Sequence, residues 1–258
     1  MTPILQVRGL SVRFGGLKAI EDMSFEVREG EVLSLIGPNG AGKTTAFNAI
    51  TGYLPPSSGE MAFQGRKLRG LNTNEIAALG LVRTFQKTSV FGGRTALDNI
   101  LIGLHLRTRQ TPLAIMLGFP YVAREEKELR VEARRILEFV GLRREKELAS
   151  ALPYGEQRLL EVAIALAAKP TLLLLDEPVS GMNPSEKASF MAKLAEIRAR
   201  GITVLLVEHD MKTVMGVSDR VVCLSQGRII AEGTPAEIQR DPEVIKAYLG
   251  ERYRHALG

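Results

Sequence analysis

Gly37-Pro38-Asn39-Gly40-Ala41-Gly42-Lys43-Thr44, with Thr45 behind it, decides how the rest of this chain is read. The spelling is G-x-x-x-x-G-K-[ST], and its surroundings suit it. Glu31–Ile36 reads as an apolar strand entering the turn, and Ala46–Ile50 reads as a helix leaving it. A polyphosphate has to be wrapped by backbone N–H groups, and glycine lets the chain come close with unusual dihedrals. The helix start adds partial positive charge. Lys43 is placed to reach the β- and γ-phosphates, and the Thr44 hydroxyl to ligate Mg²⁺. The bland alternative, a glycine-rich turn before a core helix, explains neither the lysine nor the hydroxyl beside it.

Outward from this loop, strands and helices alternate. Ile4–Phe14 alternates apolar and polar residues around Gly9, as a broken strand does, and Ser24–Val27 reads as another strand. Asn72 and Glu75 have capping-box spacing for a short helix that Gly80 stops. From about Thr88 to Ala151 helical patterns replace strands. Leu129, Ala133, Ile136, Leu137 and Val140 fall on one helix face. Arg158–Ala168 reads as a further helix. Sheet character returns at Thr171–Leu175 and Thr203–Val207, and Asn183-Pro184 with Glu186 caps a helix running to about Ala199. Val221–Leu224 and Arg228–Ala231 flank a hairpin turn, and Thr234 and Asp241 each open a short helix. The pattern predicts an α/β fold with a largely parallel sheet, split by a helical insertion.

The second chemical signal is Leu172-Leu173-Leu174-Leu175-Asp176-Glu177, an apolar strand ending in two carboxylates. Ligands collect at the carboxyl ends of parallel strands. Asp176 can hold Mg²⁺ through water, and Glu177 can polarise an attacking water. Two solvated acids at a strand end are the plain alternative; the phosphate loop makes the catalytic reading the stronger one.

Composition narrows the class. Of 258 residues 45% are hydrophobic and 24% charged, as in an ordinary globular protein. The longest pure apolar run is Val162–Ala168, whereas a membrane-spanning helix takes about 20 apolar residues. The N-terminus carries Arg8 within its apolar region and has no secretory-signal pattern. Cys223 is the single cysteine, so an internal disulfide is excluded and a reducing compartment is expected. A formal charge of +5 without a basic block or tryptophan makes nucleic acid an unexpected partner.

Over nearly its full length the chain resembles the nucleotide-binding subunits of ABC transporters. That resemblance implies a RecA-like P-loop NTPase core with an N-terminal antiparallel β subdomain and an inserted α-helical subdomain. The division it suggests is residues 1–87, 88–158, 159–235 and a C-terminal helical extension at 236–258. Gln86 sits where the family has its Q-loop glutamine, which contacts Mg²⁺ or the attacking water. Leu152-Pro153-Tyr154-Gly155-Glu156-Gln157 occupies the place of the L-S-G-G-Q signature, with Tyr154 and Gly155 on the nucleotide of the opposite subunit. Ser180-Gly181-Met182-Asn183 matches the D-loop, His209 the switch histidine that meets the γ-phosphate, and Phe14 the aromatic that stacks on adenine. Pro153, Tyr154 and Asn183 depart from the usual serine, glycine and aspartate.

Finer resemblance points to the ATPase of branched-chain amino acid importers. It rests on Val82-Arg83-Thr84-Phe85-Gln86, the variant signature, Glu208-His209-Asp210-Met211-Lys212 with Val214-Met215-Gly216 and Ser218-Asp219-Arg220, and Ala247-Tyr248-Leu249-Gly250. ATP and Mg²⁺ are the implied ligands. The implied partners are transmembrane permease subunits, a second ATP-binding subunit (a copy or a sister chain) and, indirectly, a substrate-binding protein, at the cytoplasmic face of the membrane. Other cargo, such as urea, an amide or a lipid, a non-transport ABC ATPase, and a regulatory subunit that holds ATP without turnover are the rival readings. The apolar stretch Thr111–Tyr121 is either a helix–helix connection or a patch, with Ile115 and Phe119, that docks the permease.

Overall fold

A computed structural model describes residues 2–84, 90–105 and 119–255, with backbone alone at positions 105, 120 and 250–255. Gln86 and most of the 111–121 stretch lie outside the described residues. Two sheets organise the molecule. In the first, the order is β2 (Leu17–Arg28), β1 (Pro3–Phe14), β4 (Ser58–Phe63), β5 (Arg66–Lys67), all antiparallel. The register shifts between Val7 and Leu10, so the expected break at Gly9 is a bulge.

The second sheet runs β10 (Arg228–Gly233), β9 (Arg220–Ser225), β3 (Val32–Ile36), β8 (Thr203–Val207), β7 (Leu172–Asp176), β6 (Leu81–Arg83). It is parallel except for the β9–β10 hairpin. All five residues are buried in each of β3, β7 and β8, which is why their sequences are near-continuous apolar runs. Alternate side chains go to opposite faces. Leu172, Leu174, Leu205 and Val207 pack toward helix α1 (Lys43–Ile50) and the first sheet. Leu173, Leu175, Val204 and Leu206 pack toward α5 (Tyr154–Ala167) and α6 (Pro184–Ala199).

A second core belongs to the helical insertion. It joins α3 (Ala96–His105), α4 (Pro120–Val140) and α5 through Ile100, Leu104, Ala133, Leu137 and Leu160. The predicted face of α4 is real: Ala133, Leu137 and Val140 are buried and Leu129 and Ile136 partly so. Helices α7 (Met211–Val217), α8 (Pro235–Arg240) and α9 (Pro242–His255) pack on Val221 and Cys223 of β9 and Ile36 of β3 through Val214, Ile238 and Val244.

The predicted caps form as read. Asn72 and Glu75 cap α2 (Thr73–Ala78), and Asn183 accepts from Ser185 and Glu186 at α6. Four readings are corrected. Helix α5 starts at Tyr154 rather than Arg158, because extended Pro153 serves as its N-cap. Strand β2 runs well beyond Ser24–Val27, since pairing with β1 carries its charged exposed stretch. Helix α1 begins at Lys43. Strands β4, β5 and β6 carry no alternation long enough to have been called.

Candidate functional site

The phosphate loop leaves the carboxyl end of β3 and closes into α1. Its shape follows from two glycines. At Gly37, φ is +151°, and a Cβ there would stand 2.2 Å from the carbonyl oxygen of Leu224 on β9. At Gly40, φ is +76° with open space around it. The Ala41 N–H donates to Pro38 O at 3.1 Å, and the Ala41 carbonyl accepts from Gly227 N at 3.0 Å, tying the loop to the β9–β10 turn. Gly42 is the N-cap of α1. Lys43 is buried, and its Nζ donates to Gly37 O at 2.7 Å and Pro38 O at 3.0 Å. A lysine held over a turn of backbone, at a helix start, is a cradle for an anion.

Residues 39–45 line a cleft of about 600 Å³ together with Phe14, Leu17, Glu177 and Gln226. Phe14 is half exposed at the end of β1. The cleft thus brings together the phosphate loop, including Thr44 and Thr45, the proposed base Glu177 and an aromatic face.

Asp176 ends β7 and is 1% exposed. Its Oδ2 accepts from Arg83 Nη2 at 2.7 Å, whereas Oδ1 has no hydrogen-bond partner among the described residues. Burial pushes its carboxyl above the ordinary aspartate range, and Arg83 offsets part of that rise. An orphaned buried carboxylate oxygen is what a metal-bound water or cation satisfies. Among the described residues no three His, Cys, Asp or Glu side chains gather into a metal centre. The Asp176 carboxylate and the Thr44 hydroxyl are oxygen donors of the kind that suits Mg²⁺, which takes few protein ligands and keeps water and phosphate oxygens.

Glu177 has φ +47°, with its N–H donating to Val207 O at 2.9 Å. This anchors the residue to the end of β8. His209 follows β8, and its Nδ1 is 3.7 Å from Glu177 Oε1. Neighbouring Glu208 is fully buried. Its Oε1 accepts from Val179 N at 3.1 Å, and its Oε2 accepts from His209 N at 3.1 Å and Asp210 N at 3.4 Å. Burial raises its pKa, and these backbone donors oppose the rise. Glu208 ties the loop after Glu177 to the loop carrying His209. The sequence reading had no role for it; its signal was a carboxylate at the end of an otherwise apolar strand. Arg83 and Asn48 were also missed.

At the signature position Pro153 and Tyr154 are exposed, while Gly155 is buried and a Cβ there would stand 2.9 Å from Glu186 Oε1. The Tyr154 hydroxyl accepts from Arg158 Nε at 3.0 Å and Nη2 at 2.8 Å. Arg158 Nη1 in turn donates to Glu161 Oε2 at 2.8 Å. A Cβ on Gly181 would lie 3.1 Å from the Tyr154 ring. The turn at residues 153–155 and the loop at 180–183 are thus packed together within one chain.

Comparison with known proteins fits this geometry. The family profile described as ABC transporter matches residues 20–180, and that described as branched-chain amino acid ATP-binding cassette transporter matches residues 228–254. The chain is 45% identical to the high-affinity branched-chain amino acid transport ATP-binding protein LivG of Salmonella typhimurium, over 96% of this chain and 98% of that one. It is equally identical, over the same shares, to the protein of that description named BraF from Pseudomonas aeruginosa. A crystal structure of an ATP-binding cassette of an ABC transporter in its ADP conformation superposes with a TM-score of 0.85 at 32% identity, covering 97% of this chain and all of that one.

Proposed function

This chain belongs to the ABC transporter family, and from that membership we propose how its geometry serves the work: it binds and hydrolyses ATP to drive import of branched-chain amino acids through a membrane permease. One observation carries the ATPase part: the phosphate loop, Glu177 and Phe14 line a single cleft. The cargo follows from the relatives' descriptions and from the profile matched at residues 228–254.

The roles follow from placement. Lys43 exchanges the Gly37 and Pro38 carbonyls for the β- and γ-phosphates, and backbone N–H groups between Gly37 and Thr45 wrap the chain of phosphates. Thr44 and Asp176 are the residues to hold Mg²⁺, with Gln86 assigned beside them by resemblance. The chemistry that Mg²⁺ would supply when held there is neutralisation of phosphate charge. Glu177 orients and deprotonates the attacking water, and His209, next to Glu177, donates toward the γ-phosphate. Phe14 offers its exposed ring to the adenine. Phosphoryl transfer needs positioning and charge stabilisation more than covalent chemistry, and these groups supply both.

Two such subunits pair head to tail, each with Tyr154 and Gly155 facing the other's nucleotide. The partner is a second copy or a sister chain. Closure on ATP and reopening after hydrolysis form the two-state element that the permease exploits. A substrate-binding protein delivers cargo on the far side. Among the described residues no helix is long and apolar enough to cross a membrane. The likeness to transport ATP-binding proteins is what supports a place at the cytoplasmic face, held by the permease. The exposed, stacked pair Phe119 and Tyr121, with ring centroids 6.0 Å apart, is the described end of the proposed docking stretch.

The test is Mg²⁺-dependent ATP turnover by the purified chain, with Lys43→Ala and Glu177→Gln. Lys43→Ala should lose ATP binding. Glu177→Gln should bind ATP, stall as a dimer and turn over roughly 10²–10⁴-fold more slowly. Turnover by Glu177→Gln at the wild-type rate would remove Glu177 as the base.

A further inference from the structure

The Asp176 carboxylate is gripped by a residue outside the phosphate loop. Arg83, the last residue of β6, spends its two terminal nitrogens on different elements. Nη2 donates to Asp176 Oδ2 on β7 at 2.7 Å, and Nη1 donates to Asn48 Oδ1 on α1 at 2.6 Å. The guanidinium lies over the ring of Phe47, 5.4 Å from its centroid. The pair is dry, with side chains 7% and 1% exposed. Arg83 Nε and Asp176 Oδ1 are both buried without a hydrogen-bond partner among the described residues.

Such an arrangement is poorly explained as a staple. Buried ion pairs are commonly replaceable by apolar packing, and this one leaves a donor and an acceptor unmet. It makes better sense as orientation. A carboxylate rotates about its Cβ–Cγ bond, and a planar fork fixed at two points stops that rotation. Phe47 and Asn48 belong to the same helix that presents Lys43 and Thr44, so the fork sets the acid relative to the phosphate cradle.

We propose that Arg83 is a positioning residue for the metal-binding acid: it holds Asp176 by one oxygen, so that the other stays free for the Mg²⁺ that accompanies ATP. Strand β6 is the edge of the sheet and pairs only with β7 among the described strands. Besides that backbone pairing, the Arg83 side chain links this edge directly to the Asp176 carboxylate. The proposal rests on Asp176 being the metal acid, as read above, and the experiment separates the two.

Equilibrium binding of a fluorescent ATP analogue to the full-length chain is measured in Mg²⁺ and again in EDTA, and the ratio of affinities is the readout. Asp176→Asn sets the value for a lost metal acid. Arg83→Met should lower the ratio about 10- to 100-fold, the range for losing an outer-shell partner. Its affinity in EDTA should stay close to wild type, because the phosphate loop is untouched. Arg83→Lys, which keeps the charge without the fork, should recover part of the ratio, and Asn48→Ala should lower it less than Arg83→Met. A wild-type ratio in Arg83→Met beside a collapsed ratio in Asp176→Asn overturns the proposal and leaves Asp176 as the metal acid. A wild-type ratio in Asp176→Asn removes that premise, and the proposal with it. If Arg83→Met fails to fold by circular dichroism, Arg83→Lys decides: a wild-type ratio there refutes the need for the fork.

Discussion

Replacing Gly37 with alanine tests whether the phosphate loop is shaped by tertiary contact or only by its own flexibility. The added Cβ would stand 2.2 Å from Leu224 O and 3.1 Å from the Ala41 Cβ. The first distance is more than about 1 Å inside a favourable contact of ~3.5 Å. Leu224 O is backbone of a strand paired on both sides, so it cannot swing aside as a side-chain tip would. At φ +151° the residue also occupies a region of backbone space that costs a side-chain-bearing residue about 1–3 kcal/mol. Overpacking adds about 1–3 kcal/mol more. The sum is centred near 4 kcal/mol, or roughly a 10³-fold effect. It should appear as lost stability, lost ATP affinity or a division between them, depending on whether the strand or the loop moves. Gly40→Ala is the control: with φ +76° and nothing within 4 Å, it carries only the left-handed penalty of about 1–2 kcal/mol. Urea unfolding and equilibrium ATP binding on both variants give the two parts. Gly37→Ala should lose at least tenfold more in total than Gly40→Ala. Equal losses, or an unaffected Gly37→Ala, would refute the packing argument.

Three further outcomes follow from other sites. Arg220 donates to Glu31 through Nε at 3.3 Å and Nη2 at 2.7 Å, and it also meets Glu232. Arg220→Met leaves the Glu31 carboxylate, which is 4% exposed, without its counter-charge and with the Arg28 N–H as a remaining donor, and should cost about 3–5 kcal/mol. That amounts to a drop of roughly 6–20 °C in Tm for a chain of this size, and a calorimetric shift under about 2 °C would contradict it. Lys187 beside Asp210 holds that carboxyl below its usual range. A lowered acid stabilises above its unfolded pKa and loses that contribution as pH falls through the folded one. The cost of Lys187→Met, about 1 kcal/mol at pH 7, should therefore shrink below about pH 4; a urea-midpoint difference that stays constant to pH 3 would sink this. Burial pushes the Cys223 thiol up to about 12. A thiol reagent at pH 8 should accordingly leave the native chain unlabelled and label it only on unfolding, and early labelling would show that the β9 strand opens on its own.

Much of the architecture was legible because it is written in local patterns. The apolar runs of β3, β7 and β8 announce strands buried on both faces, and the caps at Asn72, Asn183 and Thr234 announce helix starts, since each depends on residues within one turn. Strand β6 was not legible. Leu81-Val82-Arg83 is too short to show a period, and it is a strand because β7 lies alongside to pair with it. Helix α5 was read from Arg158, because proline and tyrosine at 153 and 154 give no helical period, yet the turn closes on Pro153.

The site divides the same way. The phosphate loop and the paired acids were determined by the sequence itself, because backbone wrapping, a lysine and a hydroxyl must be contiguous to hold phosphates, and Asp176 and Glu177 must close one strand. The grip of Arg83 on Asp176, 93 residues apart in sequence, could be decided only by the fold. So could the approach of His209 to Glu177 and the ties of Glu208 to Val179. Each joins the ends of different strands, and neighbouring strands in a parallel sheet are brought together by long crossovers whose length carries no record of which side chains will meet.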